Sequence, residues 1–100
     1  MQRSIRFKCK AESDIIQFKE FVALECAAPL TAKRQFEMLE KHLDWLEQYA
    51  ELPAVDVELS IQYGMIIRTI PFGKKMTIVY SVEDEYVYIQ RIMPQSMIIY

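Results

Sequence analysis

Glycine is scarce in this chain, with two in 100 residues, and there are only four prolines. Little of the sequence therefore reads as linker. The two cysteines, Cys9 and Cys26, lack CxxC spacing and have no histidines clustered near them. Each reads as a lone structural thiol rather than a metal ligand or redox pair. His42 is the single histidine, which excludes a histidine-based zinc site and any mechanism needing two imidazoles. No apolar run approaches the roughly 20 residues that cross a bilayer. Met1-Gln2-Arg3-Ser4-Ile5 has no apolar stretch like that of a signal peptide. Cytoplasmic residence, without membrane association, is the expectation. Internal repeats and low-complexity tracts are also missing.

What is present is core material. Hydrophobic residues make up 52% and charged residues 26%, a balance that excludes disorder and suits one domain over residues 1–100. The net charge of −2 argues against a nucleic-acid binder, and no specific DNA binding is expected. The charge is unevenly spread. Residues 11–58 hold 11 of the 14 acids, whereas the first ten carry Arg3, Arg6, Lys8 and Lys10 and no acid. After residue 58 the only acids are Glu83, Asp84 and Glu85.

Periodicity divides the chain into elements. Ile5, Phe7 and Cys9 alternate with Arg6 and Lys8, which predicts a half-buried strand over 4–9. A helix follows over about 11–27, capped by Ser13 or Asp14, with Ile15, Phe18, Phe21, Val22 and Leu24 as its apolar face. Pro29 or Thr31 opens a second helix that runs to about Ala50. Phe36, Leu39, Leu43, Leu46 and Ala50 form its inner stripe, and Met38, His42, Trp45 and Tyr49 lie beside it. Glu37 and Lys41 stand in the favourable i, i+4 order. The short break between the helices predicts an antiparallel hairpin. Over 54–64, Val55, Val57, Leu59 and Ile61 alternate with polar residues, which reads as a loop with strand character. Strands are expected over about 65–72, 75–82 and 86–93. Pro71-Phe72-Gly73-Lys74 and Glu83-Asp84-Glu85 supply the turns, and the result is an antiparallel meander. The fold class is α+β: an N-terminal strand, a helical hairpin, then a three-to-four-stranded antiparallel meander.

The stretch Arg68-Thr69-Ile70-Pro71-Phe72-Gly73-Lys74-Lys75-Met76-Thr77-Ile78-Val79-Tyr80-Ser81-Val82 resembles the core signature of RelE/ParE toxins. That signature has an arginine on one strand, a tight turn near a glycine, and an Ile-Val-Tyr type strand. Glu83 to Ile92 is similar to the family's acidic turn and last strand. The segment Ala32 to Pro53 also fits, because the family's second helix stops at a leucine-and-proline element before the sheet. The resemblance, closer to the ParE branch, implies the toxin of a type II toxin–antitoxin, or plasmid stabilisation, pair. It implies a separate antitoxin protein as partner and no cofactor. One branch of the family cleaves messenger RNA on the ribosome, and the ParE branch inhibits DNA gyrase.

Metal-free RNA cleavage needs a proton-transfer group and cations on the scissile phosphate. The residues offered for it are Arg68, Lys75, Arg91 and the terminal Tyr100. A nuclease reading requires Arg68, Lys75 and Arg91 to share one cleft. Thr77 stands where the nuclease branch often carries arginine. Met93-Pro94-Gln95-Ser96-Met97 replaces its histidine and arginine, so the reading leans away from enzyme activity. A binding role instead assigns Arg68, Lys74 and Arg91 to contacts with a partner. The apolar tail Met93 to Tyr100 is expected to pack on the helices or dock on a second subunit or antitoxin.

Overall fold

The computed structural model describes residues 2–25, 29–73 and 75–98. Strand β1 (Ser4–Phe7) leads into helices α1 (Cys9–Glu25) and α2 (Pro29–Tyr49). Helix α3 (Val57–Tyr63) precedes strands β2 (Arg68–Phe72), β3 (Met76–Glu83) and β4 (Tyr86–Pro94). A single 3-10 turn, Gln95–Met97, follows β4.

The expected architecture is present, with one change of direction. β2, β3 and β4 form the antiparallel meander, but β1 lies parallel to β4, so the four-stranded sheet is mixed, in the order β1-β4-β3-β2. Alternation in a sequence reports burial on one face and carries no information on strand direction. The strand ends before Cys9, which is exposed and opens α1. Cys26 lies outside the described residues.

One face of the sheet receives the helical hairpin. Ile70, Phe72, Ile78, Tyr80, Val87, Ile89 and Ile92 pack there against Ala11, Phe18, Leu39, Leu46 and Ala50. Phe18 sets its edge against both Phe36 and Phe72, with ring centroids at 5.3 and 5.8 Å, a favoured aromatic geometry. The inner stripe of α2 is the one the three-and-four spacing marks out. On α1 the side chains of Phe21, Val22 and Leu24 lie outside what is described.

The opposite face carries a smaller cluster, in which Leu59, Ile67 and Val79 pack with Tyr63, Met93 and Ile98. Residues 57–63 are a helix here, where alternation reads as strand character. Asp56 sits at the N-cap, its carboxylate accepting from the Leu59 N–H at 3.0 Å. Gly64, at φ +69°, closes the C-terminus by donating to the Ser60 carbonyl. Two good caps outweigh a period-two pattern over seven residues. The helix buries Leu59 and leaves Val57 and Ile61 outside. The tail folds against this cluster through Met93 and Ile98.

A bulge between Val79 and Tyr80 shifts the β3–β4 register, so that Ile89 opposes Tyr80 and Arg91 opposes Val79. Beyond it the buried positions of β4 pass from Val87 and Ile89 to Ile92. Such a bulge re-aims the side chains beside it. Gly73, at φ +54°, turns β2 into β3, with Lys75 (φ 62°) also left-handed. Asp84 (φ 52°) makes the second turn, being one of the residue types that tolerate this region.

Candidate functional site

The two arginines that the sequence singles out are both engaged inside the fold. Arg91 donates from Nε and Nη2 to the two carboxylate oxygens of Asp14, at 2.7 and 3.0 Å. Asp14 also accepts the Ile92 backbone N–H at 3.0 Å and is buried. The reason lies in the edge of β4. β1 pairs with β4 only through Ile89, and α1 then crosses the unpaired stretch beyond. One carboxylate there satisfies an edge N–H and neutralises a guanidinium. The hydrogen bond with Asp14 raises the Arg91 pKa further. Asp14 therefore serves the sheet edge from the interior of α1 and does not cap the helix.

Arg68 serves the end of α2. Its Nη1 donates to the carbonyls of Pro53 at 2.5 Å and Glu51 at 3.1 Å. Tyr80 donates its hydroxyl to the Ala50 carbonyl at 2.7 Å. These carbonyls lie just past the last turn of α2, close to the negative end of its dipole, where a cation is electrostatically favoured. Burial pushes the Tyr80 phenol well above its ordinary pKa, and the neighbouring Arg68 charge draws it partly back. Arg3 completes the clamp. Its N–H donates to the Glu47 carbonyl, and its side chain bonds the Glu51 carboxylate at 2.5 Å and the Asp84 carbonyl at 3.0 Å.

The three cations do not share a cleft. Arg68 on β2 and Arg91 on β4 are separated by β3 and turn to different helices. Lys75 is exposed in the β2–β3 turn, its carbonyl accepting from the Gln95 N–H. Lys74 and Tyr100 lie outside the described residues.

A groove of about 430 Å³ opens between α2 and β2, lined by Lys41, His42, Trp45, Ile70 and Pro71. The outer stripe of α2 forms one wall. Met38, Trp45 and Tyr49 are each between 38 and 46% exposed, and the Trp45 and Tyr49 rings lie 5.4 Å apart. His42 meets the Met38 carbonyl through Nδ1 at 2.7 Å. A carbonyl only accepts, so Nδ1 carries the proton. The stripe is visible in the sequence, but the groove is not, because its second wall comes from a strand some 25 residues later.

No protein-family model matches this chain, and no curated protein sequence matches it. Among solved structures it is similar to a chain of the "Chromosomal ParDE TA system from P. aeruginosa". The TM-score is 0.69 at 19% identity, over 93% of this chain and 96% of that one. The fold that the sequence resemblance implies is thus the fold observed, with the helical hairpin on one face of the four-stranded sheet and α3 on the other.

Proposed function

We propose that this chain is the toxin component of a type II toxin–antitoxin pair. In this reading it acts in the cytosol by binding a protein target such as DNA gyrase, and a cognate antitoxin neutralises it. The observation that carries the proposal is the fold likeness to a chain of a ParDE TA system, which runs along nearly the whole of both chains. Binding is favoured over RNA cleavage because Arg68 and Arg91 each hold acceptors of the fold, at separate places on the sheet. Surface for binding is available in the exposed apolar stripe of α2.

The test is inducible expression in a bacterium, following growth, DNA supercoiling and messenger RNA integrity. The expected result is growth arrest with relaxed or broken DNA and intact messages. Arrest with rapid message cleavage would replace this reading with a ribosome-associated endoribonuclease. Normal growth with soluble, folded protein would make the chain a non-toxic interaction domain.

A further inference from the structure

Exposed apolar side chains are unevenly spread over this surface. Of the eleven large ones among the described residues, six lie within residues 52–66: Leu52, Val55, Val57, Ile61, Met65 and Ile66. Scattered singly, such residues are ordinary on a protein surface, but gathered in one place they mark an interaction site.

The backbone gathers them. The segment leaves the end of α2, forms α3 and returns to the sheet. Val55 bridges Arg68, and the Asp56 N–H donates to the Ile67 carbonyl at 2.8 Å. The two ends of the excursion therefore run side by side, and Val57 and Ile66 come next along its neck. Ser60 ties the neck from within. Its Oγ accepts the Ile67 N–H at 2.8 Å and donates to the Asp56 carbonyl at 2.6 Å. Ile61 stands one turn beyond Val57 on the same face of α3. Val57, Ile61 and Ile66 are between 65 and 76% exposed, and none of the three packs into either core cluster.

Charge identifies what suits this patch. Residues 51–67 hold three acids, Glu51, Asp56 and Glu58, and no lysine or arginine. Glu51 pairs with Arg3, and Asp56 caps α3. Glu58 is exposed and has no ion-pair partner among the described residues. Arg68, the next cation along the chain, turns its Nη1 to carbonyls at the end of α2. A second copy apposed through the same patch would set acids against acids, and an anionic lipid surface is disfavoured for the same reason. An apolar patch with an unanswered carboxylate at its side fits a protein segment of aliphatic side chains flanked by lysine or arginine.

We propose that the outer face of α3 and its neck form a protein-binding surface, whose partner is an apolar segment that sets a lysine or arginine against Glu58. The inference rests on the protein-binding reading and adds a surface to it. α3 lies on the sheet face opposite the helical hairpin, so a partner held here leaves the α2 side open.

The test is selection of random phage-displayed peptides on the immobilised full chain, after depletion on the Ile61→Asp variant. Depletion removes peptides that bind elsewhere on the molecule. Ile61 is 76% exposed, so the variant keeps the fold, which circular dichroism and the melting temperature check. The expected result is enrichment of aliphatic peptides of net positive charge. A synthetic copy of an enriched peptide shifts the amide resonances of residues 57–66. Glu58→Lys weakens that peptide about fivefold at low salt. Glu20→Lys, at an exposed position of α1, leaves its affinity within about twofold. No enrichment, enrichment without positive charge, or equal effects of Glu58→Lys and Glu20→Lys would overturn the proposal. So would a dimer in sedimentation that Ile61→Asp dissolves, because the occupant would then be a second copy. A chain that arrests growth but selects no peptide loses this inference and keeps the toxin reading. A chain that selects such peptides without arresting growth does the reverse.

Discussion

Asp14 ties helix α1 to the edge of β4 through one buried carboxylate. Its two oxygens take three hydrogen bonds, from Arg91 Nε, Arg91 Nη2 and the Ile92 N–H. Asp14→Ala leaves a partly exposed guanidinium without its anion and a buried edge N–H without an acceptor. The expected loss is about 2–4 kcal/mol in urea unfolding, and Arg91→Ala should cost no less, because it leaves the buried Asp14 carboxylate without its cation. A double mutant should lose less than the sum of the singles. Tyr80 makes a pH-dependent contribution. Its folded pKa is raised, so the stability it supplies is full below the unfolded phenol value of about 10 and declines as pH rises above it. Tyr80→Phe should cost about 1–3 kcal/mol at neutral pH, because the Ala50 carbonyl loses its donor. It should also flatten the fall of stability with pH above about 10, read from unfolding curves at stepped alkaline pH.

At the scale of elements, α3 is the least secure piece. It is seven residues long, buries only Leu59 among its side chains, and depends on its caps. Asp56→Ala should cost about 1 kcal/mol and speed amide exchange in residues 57–63 ahead of the rest of the chain. The same helix shows where sequence reasoning stops. Alternating Val55, Val57, Leu59 and Ile61 satisfied a strand pattern, while the Asp56 and Gly64 caps sat at its ends unread. α2 and the three meander strands were legible because their apolar spacing is long and regular, as in Leu39, Leu46 and Ala50 or in Ile78 and Tyr80. The bulge in β4 was not legible, since it changes which alternate residues face inward without changing the residue types. Arg68 and Arg91 were visible as mid-strand cations. Their roles were not, because their acceptors lie as much as 17 and 77 residues away in sequence. Pairings at such separation are set by packing.

At the scale of the whole molecule, the two faces of the sheet divide the labour. The hairpin face holds the larger core, and the other is covered over part of its extent by α3 and the tail. Elsewhere on the sheet, Arg6 and Lys8 of the β1 region stand over the rings of Tyr86 and Tyr88, at 5.2 and 4.6 Å from the ring centroids. Those contacts hold the first strand to the last and occupy the tyrosine faces. The growth and supercoiling experiment tests the molecule at this scale, since the proposed binding role would need the whole surface assembled.

The position of β4 has a consequence for synthesis. Of the four strands of the described sheet, the one latest in sequence lies inside it, between the earliest and the one just before it. While a ribosome is extending the chain, β1 has no neighbour to join, and the pairing that closes the sheet spans about 80 residues. Contacts of that range are costly to form early. A message cut short before Tyr86 therefore yields a product whose four-stranded sheet never closes.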